Sequence, residues 1–228
     1  MPEPDSRVVA QDNPLSLIRA TEVLRKGGLV VAPTDTIYGI LADATLPEAV
    51  DRLYRIRRPS RRPFIVLLPD PLWAGKLGLA VDCRVLRLLS VPGLSVVVPK
   101  LSSLFGYLGA ETVAVRYPRR GFVMRLLKEL GRPVVAPSAN REGEPPVRSA
   151  REALMIFGSR VDLYVEGDAP AGKASAVVDA RGRVYRSGGY TPKSLRRLLE
   201  VSGRIPCPER VPLRHPLSPC KLPRGRGS

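Results

Sequence analysis

Histidine is all but missing from this sequence: one residue of 228, His215, and it sits near the C-terminus. A histidine-based triad or a histidine metal cage inside a folded domain is thereby excluded. Cysteine is nearly as scarce. Cys83, Cys207 and Cys220 form an odd, sparse set, and no disulfide framework is expected of them. The spacing of Cys207, His215 and Cys220 is proline-broken and poor for a shared metal. No apolar run reaches the roughly 18 residues of a membrane span. The opening MPEPDSRVVAQDNP carries acids and prolines and no apolar signal core, so the expected location is cytoplasmic. Also missing are G-x-x-x-x-G-K-[ST] and G-x-G-x-x-G, which sets aside P-loop and Rossmann nucleotide sites. No pair of acids is spaced for acid–base work. Asp43, Asp162 and Asp179 keep two readings, magnesium ligands or caps and turns.

Positive charge is what the chain has in excess. Lys and Arg number 37 against 21 acids, a formal net charge of +16, with a pI near 10.6. That balance favours polyanionic partners: RNA, DNA or phosphorylated small molecules. A basic thermophilic surface would give the same balance. Hydrophobic residues make up 44%, which suits a soluble domain able to bury a sizeable core.

The chain divides at two composition changes. Residues 1–13 read as an N-terminal extension, 14–202 as one domain, and 203–228 as a basic, Pro-rich tail with six prolines and a single acid, Glu209. Inside the domain, Asn13 and Pro14 start a helix with Leu17, Ala20 and Leu24 on one face, ended by Gly27-Gly28. Helices are also expected over 47–56, 84–90, 121–130, from Ser149 to Phe157, and from Thr191 to about Glu200. Strands are expected over 29–32, 64–68, 95–98, 112–116, 133–136, 161–165, 175–179 and 183–186, the last two as a hairpin through Ala180-Arg-Gly182. Such alternation predicts an α/β layered domain with a twisted, mixed sheet.

One internal echo stands out. Val30-Val-Ala-Pro-Thr34 and Val134-Val-Ala-Pro-Ser138 share V-V-A-P-[T/S]. In both, proline ends strand pairing and short polar side chains follow, suited to turning toward a crevice at a strand end. Two ordinary strand exits would look the same singly; the recurrence points to a site. Arg55, Arg57, Arg58, Arg61 and Arg62 crowd the end of the second helix, as a solvated face would. Arg116 and Arg186 differ, being isolated charges at the ends of apolar strands. Such charges need partners, and a guanidinium there suits carboxylate or phosphate.

These residues fall into a recognisable order. Gly28-Leu-Val-Val-Ala-Pro-Thr-Asp-Thr-Ile-Tyr-Gly39 resembles the opening signature of the YrdC/YciO family of threonylcarbamoyl-AMP synthases. Arg57-Arg-Pro59 through Pro63, Thr112-Val-Ala-Val-Arg116-Tyr-Pro118, Ala136-Pro-Ser-Ala-Asn140, Ser175-Ala-Val-Val-Asp179 and Val184-Tyr-Arg186-Ser-Gly188 are similar to its further blocks, in the same order. The resemblance implies a YrdC-like single domain, a mixed parallel and antiparallel sheet with flanking helices around a basic cleft. It implies that threonine, bicarbonate and ATP, with magnesium, form threonylcarbamoyl-AMP for tRNA modification by a downstream transferase complex. By the same resemblance, Thr36, Arg116, Ala136 and Ser175 hold threonine, while Thr34, Arg57, Arg58, Thr112, Ser138, Asn140 and Arg186 surround ATP. Arg57 stands where the family has lysine, and Leu67 where many members have histidine. The alternative is a non-catalytic relative that binds double-stranded RNA or nucleotide in the same cleft. A carbamoyl-transfer domain like that of hydrogenase maturation proteins would be a third.

Overall fold

A computed structural model of the chain describes residues 6–57, 60, 62–169 and 172–204. Ten strands join in one sheet: β1 (Val8–Ala10), β2 (Val30–Pro33), β3 (Tyr38–Asp43), β4 (Val66–Leu67), β5 (Leu94–Pro99), β6 (Thr112–Arg116), β7 (Val134–Val135), β8 (Leu163–Glu166), β9 (Ala176–Asp179) and β10 (Val184–Arg186). Their order across the sheet is β1-β8-β2-β3-β7-β4-β6-β5-β9-β10. Pairing is parallel at β1–β8, β2–β8, β4–β6 and β5–β9 and antiparallel at the other five junctions, so the sheet is mixed as expected. Helices α1 (Pro14–Arg25), α2 (Pro47–Arg57), α3 (Trp73–Lys76), α4 (Cys83–Leu89), α5 (Gly121–Leu130), α6 (Ala150–Phe157) and α7 (Pro192–Arg204) flank it.

The strands are apolar on both sides because both faces are covered. Along β2, Val31 joins one core while Val30 and Ala32 join the other; along β3, Ile40 and Ala42 oppose Leu41; along β8, Tyr164 opposes Leu163 and Val165. The larger core takes residues from α2, α4, α6 and α7. The smaller core is closed by α1 and α5 alone among the helices, through Ala20, Leu24, Phe122, Val123, Leu126, Leu127 and Leu130. Those two helices lie over the β1–β8–β2–β3–β7 half. Farther along the same face, Ser95, Ala114, Arg116 and Val177 alternate with core residues of β5, β6 and β9 and have no helix above them. This bare half of one face is where the site forms.

Helix starts follow the capping chemistry. Asn13 Oδ1 accepts from Leu15 N at 2.9 Å, Asp82 Oδ1 from Val85 N at 2.7 Å, and Ser149 Oγ from Glu152 N at 3.1 Å. Every expected helix is present, and α7 continues past Glu200 to Arg204. The differences lie in the strands. The 64–68 run pairs only over Val66–Leu67. Val8–Ala10, assigned to an extension ahead of the domain, adds an edge strand on β8. β3 was not expected at all: Gly39 interrupts a run whose six residues are all buried, the signature of a central strand without alternation. Asp43, Asp162 and Asp179 serve as caps and turns. Asp43 accepts from Thr45 N at 2.8 Å and pairs with Arg132 at 3.2 Å. Asp162 takes Leu29 N and Arg52, both at 2.7 Å. Asp179 Oδ1 receives Arg181 N and Arg183 N, each at 2.9 Å. The tail from residue 205 onward, with Cys207, His215 and Cys220, lies outside the described residues.

Truncation of Leu126, fully buried beneath the sheet, is expected to cost about 2–5 kcal/mol. Met155→Ala, at a residue 81% exposed, should stay within about 0.5 kcal/mol. Urea unfolding of both variants checks the contrast.

Candidate active site

The two V-V-A-P-[T/S] segments lie on either side of β3. Gly39 pairs with Ala32 across one edge and bridges to Ser138 across the other. Ile40 N donates to Pro137 O at 3.0 Å and Ala139 N to Tyr38 O at 2.9 Å. The approach is close enough to need glycine: a Cβ on Gly39 would stand 3.2 Å from both Pro137 O and Thr34 Cγ2. Beyond these strand ends and over the bare face of β6 and β9 lies a cavity of about 250 Å³. Its polar lining is Thr34, Thr36, Ser138, Ser175, Arg116 and Arg186. Apolar surface comes from Ile65, Ala114, Ala136 and Val177, among others. The expected crevice at the strand ends is therefore continued across the sheet.

Arg116 ends β6 with its side chain almost wholly buried, and Asp35 is buried with it. The pair sits at 3.0 Å, with side-chain exposures of 5% and 4%. Arg116 Nη1 also donates to Thr36 Oγ1 at 3.0 Å, while its Nε has no hydrogen-bond partner. Burial pulls the guanidinium below its ordinary pKa; Asp35 works against that shift and Arg186 adds to it. Two cations thus line one cavity, with Asp35 paired to Arg116, an arrangement suited to an anionic ligand. Asp35 was not singled out in the sequence. Its signal was the demand that a buried Arg116 have a partner.

Thr34 lines the cavity, but its hydroxyl holds the hairpin turn, donating to Ile37 O at 2.6 Å and accepting from Thr36 N and Ile37 N, each at 3.2 Å. On the opposite wall, Arg186 Nε donates to Ser175 O at 2.9 Å and its Nη2 to Ser175 Oγ at 3.2 Å. Gly188 makes this possible. At φ +59° it packs so closely that a Cβ would come within 2.3 Å of Ala176 N.

Arg57 and Asn140, expected around ATP, stand behind the cavity wall. Arg57 Nε donates to Ser138 O at 2.7 Å, and its Nη2 to Asn140 Oδ1 at 2.8 Å and Ser138 Oγ at 3.2 Å. Asn140 Nδ2 then donates to Arg141 O at 2.8 Å and to Glu144 O. Both side chains brace the loop that carries Ser138. Thr112 is exposed at the start of β6, on the face of Ala114 and Arg116 but away from the cavity lining. Leu67 is fully buried in the smaller core. Arg58 and Arg61 lie outside the described residues. The rest of the arginine cluster is divided: Arg55 pairs with Asp51 and Arg62 with Glu142 at 2.7 Å. Ser60 Oγ also donates to Glu142, at 2.7 Å, tying the 60–62 loop to the loop after Asn140.

Gly188→Ala forces a left-handed alanine against backbone. It is expected to destabilise by at least about 1–3 kcal/mol in urea unfolding. The hydrogen bonds from Arg62, then from Ser60, hold the Glu142 carboxyl down at about 2. A depressed folded pKa means that the tether persists through mild acid and is lost only as pH falls through about 2. In an NMR titration, Arg62→Ala should move the Glu142 midpoint up toward the ordinary value of about 4.3.

Comparison with known proteins identifies the family. The family of Sua5, YciO and YrdC, described as "Telomere recombination", matches residues 22–188. A Bacillus subtilis protein named threonylcarbamoyl-AMP synthase is 28% identical over 212 residues, covering 82% of this chain and 57% of its own. Among solved structures, P. abyssi Sua5 complexed with L-threonine superposes with a TM-score of 0.72 at 27% identity, over 80% of this chain and 56% of that one. The chain thus spans little more than half the length of these two relatives. Escherichia coli YciO gives a TM-score of 0.71 at 25% identity, over 82% of this chain and 97% of its own. The family model spans most of the chain and the solved relatives share its mixed-sheet fold, and the chain belongs to the Sua5/YciO/YrdC family.

Proposed function

We propose that this chain is a threonylcarbamoyl-AMP synthase, an enzyme that joins threonine, bicarbonate and ATP to give threonylcarbamoyl-AMP, pyrophosphate and water. The observation that carries the reading is the cavity itself, walled by Arg116 with Asp35 on one side and by Arg186 with Ser175 on the other. Its volume of about 250 Å³ is below the roughly 300–1,000 Å³ of drug-sized sites. It suits an amino acid, with the larger nucleotide lying across the mouth.

In this reading Thr36, Arg116, Ala136 and Ser175 receive threonine. The buried guanidinium takes the carboxylate, and the apolar lining takes the side-chain methyl. Bicarbonate condenses with the threonine amine, and a carboxylate oxygen of the resulting carbamate attacks the α-phosphorus of ATP. The P–O bond to the β-phosphate breaks and pyrophosphate leaves with the electron pair. Adenylyl transfer of this kind depends on alignment and on cations facing the phosphate oxygens, rather than on a nucleophilic side chain. Ser138 and Arg186 face the α-phosphate, with Thr112 farther along the nucleotide; Arg58 is assigned to ATP by resemblance alone. Arg57 and Asn140 contribute by holding the Ser138 loop rigid. Magnesium would arrive on the ATP phosphates: among the described residues no group of three His, Cys, Asp or Glu gathers, and Asp35 is committed to Arg116.

The product is an activated acyl group for a transferase complex acting on tRNA, and the +16 charge suits RNA contact. Those substrates belong to the cytoplasm; no described helix is long and apolar enough to cross a membrane.

Purified protein given ATP, magnesium, bicarbonate and threonine should release pyrophosphate only when threonine is present. Arg116→Ala should lower that release by about 10²-fold or more. Folded wild-type protein that binds RNA or nucleotide but shows no threonine-dependent release would instead support the non-catalytic alternative.

A further inference from the structure

Ser95 does not line the cavity, and no family motif assigned it a role. It lies on β5 between the core residues Leu94 and Val96 and is 0% exposed. A buried hydroxyl proton left without an acceptor costs about 1–3 kcal/mol. The one side chain that Ser95 Oγ meets is Ser175 Oγ, at 2.9 Å, with Ser95 as donor. The opposite polarity would leave the Ser95 proton with no acceptor in a fully buried place, so the direction follows from burial. Arg186 Nη2 donates to the same Ser175 oxygen at 3.2 Å.

A serine oxygen accepts two hydrogen bonds and donates one. Both acceptor positions of Ser175 Oγ are therefore filled, one by Ser95 and one by Arg186. Its own O–H makes no hydrogen bond among the described residues, in a side chain that lines the cavity.

We infer that Ser95 is a positioning residue which locks Ser175 as a hydrogen-bond donor, so that this wall of the cavity receives an acceptor oxygen and refuses an ammonium group. The inference rests on the synthase reading and sharpens it. With Ser175 donating beside cationic Arg186, the wall takes carboxylate or carbamate oxygens, and the threonine amine enters pointing away from it. Ser95 acts only through Ser175 and touches no substrate.

A double-mutant cycle on the full chain tests this, using wild type, Ser95→Ala, Ser175→Ala and the double variant, with KM for threonine, KM for ATP and kcat measured for each. Ser95→Ala should raise KM for threonine by about tenfold, with KM for ATP and kcat changed by no more than about twofold. In the Ser175→Ala background the Ser95 substitution should change nothing further. An equal penalty in both backgrounds overturns the inference. So does an unchanged KM for threonine, or a loss confined to kcat and to the urea midpoint, which would mark Ser95 as a packing residue. If wild type itself releases no threonine-dependent pyrophosphate, the synthase reading falls and this inference with it; an active wild type with additive penalties overturns the inference alone.

Discussion

The buried ion pair between Arg116 and Asp35 is the constraint around which the cavity is arranged. In the sheet order, β7 and β4 separate β3 from β6. At about 4.8 Å per strand, a flat sheet would hold β3 and β6 some 14 Å apart. Yet the β2–β3 turn brings Asp35 within 3.0 Å of Arg116 and Thr36 within 3.0 Å as well. The sheet must twist and the turn must fold over its face for these contacts to form. An unpaired guanidinium at that depth would cost several kcal/mol, so the charge pair and the curvature specify each other. Thr34 contributes from within the turn, where its hydroxyl fixes the residues that carry Asp35 and Thr36.

Two layers of residues divide the work. Arg116, Thr36, Ser175, Arg186 and Ser138 present polar groups to the cavity. Behind them stand groups that never reach it: Arg57 and Asn140 under the Ser138 loop, and Ser95 under Ser175. Arg57 shows why the residue type matters. Its fork meets a carbonyl, an amide oxygen and a hydroxyl at once, a geometry that a single ammonium cannot reproduce. The expected family lysine is a point charge, better suited to reaching a phosphate. With arginine at 57 the position braces the Ser138 loop.

Much of this was legible in the sequence, and what was missed has physical reasons. The helices were readable because caps and the 3.6-residue period are local. The recurrence of V-V-A-P-[T/S] pointed to strands meeting at one site, and both flank β3. β3 itself escaped, because a strand buried on both faces has no alternation and Gly39 resembles a loop residue. The same ambiguity made the site look like a crevice at strand ends, when half of it lies across the faces of β6 and β9. Arg57 and Asn140, expected around ATP by resemblance, meet each other and Ser138 in the structure. Whether an arginine faces a cavity or the loop behind it depends on tertiary contacts more than 80 residues away in the chain, which no local pattern encodes. Asp35 was foreshadowed only as an unnamed partner, and Ser95 not at all, since a buried serine in a valine-rich strand carries no signal until its neighbour is known.

The arrangement also explains why a strongly basic protein buries a carboxylate in its cleft. Without Asp35, Arg116 would face Arg186 with no counter-charge, and burial already works against the guanidinium. With Asp35 in place the buried guanidinium of Arg116 has its counter-charge. A monoanionic ligand end, such as one carboxylate, suits a site this buried, and each further anion must come with its own cations. On the proposed synthase reading, an amino-acid carboxylate enters this interior, and the triphosphate, with its three to four negative charges, stays at the open mouth. Burial in a low-dielectric fold thus favours a single small anion beside Arg116, which is the charge basis of the proposed amino-acid pocket.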